Sequence, residues 1–277
     1  MNFARNSIDS YIMFENRRLT YGEIHEQASR LASVLHTTYS VQQGDRGTTG
    51  VILLPCISQA YAASYRVSSC SVAIAMRNCV EWIVAFWACH LVGAVSVQVN
   101  GWLPSQPFLY SITHTNSKVI IVDPERAARL APHIEKLAPA TAILIAAADG
   151  GGDSSHDASP PVELHPGMQS LATVLSAYTG NLDSWDCIPA PSLDDNATIF
   201  FTSGTTSLPK GVLSTQRSFM HGYMCNNFSR DRMMLRECTE GILEWPTPRG
   251  EEKTLMLGVP LMHVQGSTSV LVRSVGY

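Results

Sequence analysis

The stretch Val72–Asn100, VAIAMRNCVEWIVAFWACHLVGAVSVQVN, constrains the fold more than any other part of the chain. It is apolar over most of its length, and its breaks fall at Arg77–Asn78 and at Gly93. A membrane helix is the first reading to test, because Trp82–Val99 carries no Asp, Glu, Lys or Arg. His90, Gln98 and the small residues weigh against it, and Arg77 and Glu81 stand just before it. Two elements fit better: a buried helix that ends near Gly93, and a strand AVSVQV after it. Asn78 and Glu81 offer a helix start, with Val84, Trp87 and Leu91 along one side. Trp82, Trp87 and Trp102 read as packing residues rather than as stacking platforms for a ligand.

The flanking segments extend the pattern. In LTYGEIHEQASRLASVLHTTY, Thr20 with Glu23 three positions on forms a capping box, in which each side chain satisfies a backbone N–H of the other. Ile24, Ala28, Leu31 and Leu35 then recur on one helical face. KVIIVD reads as a strand, HIEKLAPATAILIAA as a helix tail and a further strand, and DDNATIFFTSG as a return to regular structure. Strands alternating with helices predict an α/β fold with a mostly parallel sheet flanked by helices. Residues of about 148–163, rich in Gly, Ser, Asp and Pro, read as a flexible surface loop. Residues 47–71 are an atypical insert with one charge, Arg66. They read as an extra buried hairpin or as a retained intron translated in frame.

Charge narrows the partners. The net charge is -4 and no basic run stands out, so neither nucleic acid nor an anionic membrane surface is an expected partner. The seven cysteines form no C-x-x-C pair and read as buried or free thiols rather than as a zinc or dithiol site. No metal ligands are singled out.

The most specific chemistry lies in IFFTSGTTSLPKGVLSTQRS, Ile199 to Ser218. A Walker loop needs G-x-x-x-x-G-K-[ST], and here Gly204 precedes Lys210 by six positions while Gly211 follows the lysine. The composition nevertheless suits phosphate. Thr202, Ser203, Thr205, Thr206 and Ser207 carry hydroxyls, and Gly204 permits close backbone approach. Successive N–H groups in such a turn form an anion-binding concavity, and Lys210 adds a positive charge. Taken alone, S-G-T-T would be a polar hairpin turn with a solvated lysine; entry from an apolar strand and exit through GVLST make the full string far more specific.

TSGTTSLPKGV resembles the signature loop of the adenylate-forming (AMP-binding) superfamily, which includes acyl-CoA synthetases, peptide-synthetase adenylation domains and luciferases. LTYGEIHEQASRLASVL, VAIAMRNCVEWIVAFWACHLVGAVSVQVNGWLP and PLMHVQGS resemble further segments of that family, in family order. The resemblance implies the large N-terminal domain of the adenylate-forming fold, present in part over residues 1–277. It implies ATP, Mg²⁺ and CoA as co-substrates and cofactor, and a small carboxylic acid as substrate. Thr202, Ser203, Gly204, Thr205, Thr206 and Lys210 would hold the β- and γ-phosphates. His263 would lie near the substrate carboxylate as the catalytic candidate, and Gly266 would keep the backbone close to the acid pocket. The alternative for His263 is a core histidine in a strand–loop corner.

The same resemblance implies segments that do not occur before Tyr277: a Y-G-x-T-E-like motif, a ribose-binding aspartate and a C-terminal lid lysine. On this reading the intact gene product is an AMP-forming acid–thiol ligase of fatty acid metabolism, and these 277 residues are a truncated, inactive form without the lid domain. The alternatives are a non-catalytic nucleotide-binding or interaction fragment, and a fragment of a peptide-synthetase adenylation domain. The expected location is cytoplasmic or peroxisomal.

Overall fold

A β-hairpin, β1 (Ser10–Phe14) and β2 (Arg17–Thr20), leads into helix α1 (Tyr21–Thr37). Strand β3 (Gly50–Ile52) precedes an alternating run: β4 (Ser71–Ala75), α2 (Val80–Leu91), β5 (Val95–Gln98), α3 (Ser105–Thr115) and β6 (Val119–Val122). Helix α4 (Pro124–Leu130), a 3₁₀ turn (Ala131–Leu137), β7 (Ala142–Ile145), β8 (Gln169–Ser170) and α5 (Leu171–Ala177) follow. The last elements are a 3₁₀ turn (Ser184–Cys187), β9 (Asn196–Thr202), β10 (Lys210–Thr215) and the long helix α6 (Gln216–Thr239). These come from a computed structural model that describes residues 9–43, 50–52, 71–138, 140–146, 164–182, 184–202, 208–241 and 256–268.

Eight strands form one sheet in the order β3-β10-β9-β5-β4-β6-β7-β8. All neighbours from β9 to β8 are parallel, while β10 runs antiparallel to both β9 and β3. The predicted mostly parallel α/β sheet is therefore what the chain forms. The strand sequences explain it: VAIA, VIIV and AILI are continuous apolar runs, as strands covered on both faces must be. Val72 and Ile74 of β4 pack on one face with α1 and α2, and Ala73 and Ala75 pack on the other with Phe108 and Ile112 of α3.

Helix α1 carries the predicted capping box, with Glu23 N–H donating to Thr20 Oγ1 at 3.2 Å and Thr20 N–H to Glu23 Oε2 at 2.8 Å. Ile24, Ala28, Leu31 and Leu35 are all buried. Helix α2 corrects one expectation. Its cap is Cys79, which makes no side-chain cap bond, and Asn78 turns away to bind a distant segment. Glu81 pairs with Arg17 at 2.5 Å and so ties α2 to the N-terminal hairpin. Gly93, at φ +66°, ends the helix as read. Among the described residues no helix is long and apolar enough to cross a membrane.

Trp82 and Trp87 are buried, but Trp102 is 53% exposed. It packs beneath the Arg126 guanidinium, 5.1 Å from the ring centroid, so its partner is a cation rather than the core. Of the insert 47–71, Gly50–Ile52 pairs along β10 and Ser71 opens β4 opposite Val95; its other residues lie outside the described ones. The loop of about 148–163 also lies outside the described residues.

Candidate active site at the carboxyl edge of the sheet

Strands β4, β5, β6 and β9 run parallel, so their carboxyl ends share one edge. Open α/β sheets bind their ligands outside that edge. Strand β9 ends there at Thr202, and β10 starts there at Lys210, which stands opposite Thr202 in the ladder. Thr202 Oγ1 donates to the Lys210 carbonyl at 3.4 Å. Thr202 and Lys210 are thus facing ends of an antiparallel pair at the ligand edge, and the hydroxyl-rich segment joins them in sequence. Ser203, Gly204, Thr205 and Thr206 lie outside the described residues. The two residues that bracket them are held in register by the ladder. Among the described residues no carboxylate lies within ion-pair distance of Lys210.

His263 and Gly266 come together with Asn78 in a second cluster on the same edge. Asn78 sits just beyond β4, and its carboxamide acts as a backbone mimic. Its Nδ2 donates to the Val259 carbonyl at 3.0 Å, and its Oδ1 accepts from Leu261 N–H at 2.7 Å. Leu261 is buried in the same hydrophobic core as Ile74 and Phe200. His263 follows in a turn closed by its N–H to the Pro260 carbonyl at 3.1 Å. The histidine is exposed and does not belong to the core. It opens the helical turn 264–268: its carbonyl accepts from Ser267 N–H at 3.0 Å, and its Nδ1 accepts from Gln265 N–H at 3.4 Å. That contact requires a lone pair on Nδ1, which puts the proton of the neutral ring on Nε2 and makes Nε2–H a donor toward solvent.

Gly266 is required by close approach. A Cβ there would lie 2.1 Å from the Pro260 carbonyl oxygen and 2.9 Å from Leu261 Cα, both rigid backbone. The turn 260–266 therefore folds onto itself only because this position has no side chain. Strands β4 and β9 flank β5 on opposite sides, so the strand that leads to Asn78 and the strand that ends at Thr202 are two strand spacings, about 10 Å, apart.

A third feature lies at the switch point, where the chain passes from β4 to β5 on one side and then crosses back to β6 on the other side of β4. Asp123, at the end of β6, accepts from Arg77 N–H and Arg126 N–H at 2.9 Å each, and its Oδ2 pairs with Arg126 Nη1 at 3.2 Å. Arg126 is only 2% exposed and also donates through Nε to the Gly101 carbonyl at 3.1 Å. The crevice holds a satisfied ion pair, and that pair pins the turn that presents Asn78. Among the described residues no three His, Cys, Asp or Glu side chains converge to hold a metal ion.

Sequence reasoning missed Asn78, Asp123 and Arg126. For Asn78 the signal was present but ambiguous: an asparagine between a strand and a helix fits a cap as well as a long-range clamp.

A mostly parallel sheet flanked by helices, open at its carboxyl edge, places the chain among the doubly wound α/β proteins. The chain belongs to the AMP-binding enzyme family, whose model matches residues 65–274. It is 27% identical over 256 residues to the long-chain-fatty-acid–CoA ligase FadD13 of Mycobacterium tuberculosis, covering 92% of this chain and 37% of that protein. It is 29% identical over 216 residues to the mitochondrial acyl-CoA synthetase short-chain family member 3 of Rattus norvegicus, covering 74% of this chain and 26% of that one. The chain thus spans about a third of these relatives. The solved structure of the O-succinylbenzoate coenzyme A synthetase MenE of Bacillus subtilis, in complex with AMP, superposes with a TM-score of 0.61 at 18% identity. It covers 99% of this chain and 52% of that one, and it shares the fold.

Proposed function

We propose that this chain supplies the phosphate grip and part of the acid site of an AMP-forming acid–thiol ligase of the acyl-CoA synthetase type. In that reaction a carboxylate attacks the α-phosphorus of ATP, giving an acyl-adenylate and pyrophosphate, and the CoA thiol then takes the acyl group and releases AMP. The observation that carries the proposal is the Thr202–Lys210 register at the ligand edge, in a member of the AMP-binding family.

Each residue has a task that follows from charge. The attack brings two anions together, so the site must neutralise charge where it gathers. Lys210, with the backbone and hydroxyls of Thr202, Ser203, Gly204, Thr205 and Thr206, would hold the β- and γ-phosphates as the leaving group. His263, with Nε2–H free to donate, would orient the acid carboxylate, and Gly266 keeps that turn tight. Mg²⁺, when bound with the nucleotide, would supply charge neutralisation at the phosphates, a role that needs few protein ligands. The relatives' names include both long-chain and short-chain ligases, so the acid is assigned only as a carboxylic acid.

Carboxylate-dependent exchange of pyrophosphate into ATP, run with panels of fatty and aryl acids, tests the reading. In the intact gene product, exchange that appears with an acid and is lost in Lys210→Ala is the expected result. Exchange unaffected by Lys210→Ala would overturn the assignment of the grip.

A further inference from the structure

We propose that Asn78 is a positioning residue for His263, and that the Asp123–Arg126 pair is its support. This rests on the reading that His263 faces the acid. The two bonds of the Asn78 carboxamide, at 3.0 Å to the Val259 carbonyl and 2.7 Å from Leu261 N–H, hold both sides of Pro260. Pro260 is the residue whose carbonyl accepts His263 N–H and meets Gly266. The clamp therefore acts on the base of the turn whose tip is His263. These contacts join positions 181 and 183 residues apart, so the clamp ties the His263 segment to the end of β4.

The carboxamide can act this way only because its own backbone is fixed. Arg77 N–H donates to Asp123 Oδ2 at 2.9 Å, and Asp123 is held by the buried Arg126. Helix α2 does not use Asn78 as a cap, so removing the side chain leaves the helix start as it is. Chemistry further favours asparagine here. One donor and one acceptor on a planar group match a carbonyl and an N–H two residues apart, and neither aspartate nor alanine supplies both.

The test uses the full chain with two variants, Asn78→Ala and Asn78→Asp, read in two ways. The first readout needs no activity: the His263 imidazole signal in ¹H–¹³C NMR, assigned with His263→Gln, and deuterium exchange of the Leu261 amide. Positioning predicts a moved His263 signal in both variants, because even the aspartate leaves the Val259 carbonyl without its donor, and Leu261 exchange faster by roughly ten-fold or more in Asn78→Ala, where the Leu261 N–H loses its acceptor. The second readout is acid-dependent pyrophosphate exchange. There kcat falls by roughly ten- to a hundred-fold while KM for ATP holds within about two-fold, since the phosphate grip lies on other strands. A folded Asn78→Ala with an unmoved His263 signal and unchanged Leu261 exchange overturns the proposal. A wild-type chain without exchange counts against the ligase reading alone, and the NMR signal still decides the role of Asn78.

Discussion

His90 shows how burial sets the behaviour of one residue. It lies between Phe86, at 4.5 Å, and Phe219, stacked at 5.8 Å, and burial pushes its pKa down to about 4. The unfolded chain takes up this proton near 6.5, so it binds more protons than the folded chain between those values. Above pH 6.5 the residue costs nothing; as pH falls toward 4 stability is lost. From pH 7 to pH 5 this single group predicts a fall in stability in urea unfolding. His90→Gln should remove that part of the slope, and an equal slope in both proteins would assign it elsewhere. Gly266→Ala is the second test at this scale. The added methyl meets backbone at 2.1 Å, so the turn must open. We expect roughly 1–3 kcal/mol of destabilisation and a displaced His263 NMR signal; an unmoved signal would mean that the close approach does not shape the site.

At the scale of elements, much was legible. The Thr20–Glu23 box, the apolar face of α1 and the strand runs of β4 to β7 are local patterns, and each formed where it was read. Thr20→Ala should cost about 1 kcal/mol, read as a lower unfolding midpoint, because the Glu23 N–H loses its Oγ1 acceptor. Glu23→Ala should repeat much of that loss and add little to Thr20→Ala, since the two side chains act as one unit. The elements that were misread depend on partners far away in sequence. Asn78 fits a cap by local rules, but its bonds go to Val259 and Leu261. Trp102 reads as a packing residue, and what it packs on is Arg126, which is drawn inward by Asp123 and the Gly101 carbonyl. No local pattern encodes such an arrangement.

At the scale of the whole molecule, strand order does what composition cannot. It sets β9 beside β5 and turns β10 back along β9, so that Thr202 and Lys210, the two ends of a loop recognised by its residues, lie at the ligand edge. The same edge receives the 259–266 turn through Asn78. The loop and the histidine were legible as motifs; their shared edge was not, because it follows from the parallel register of β4, β5 and β9. The central claim is that this edge grips nucleotide phosphates through Lys210. Calorimetric titration of ATP into the 277-residue chain, with Lys210→Ala and Lys118→Ala beside it, tests it most directly. Lys118 is spent on the Ser40 carbonyl at 2.6 Å and serves as the control. ATP binding should weaken roughly ten- to a hundred-fold in Lys210→Ala and stay unchanged in Lys118→Ala. ATP binding of equal strength in all three proteins would contradict the claim.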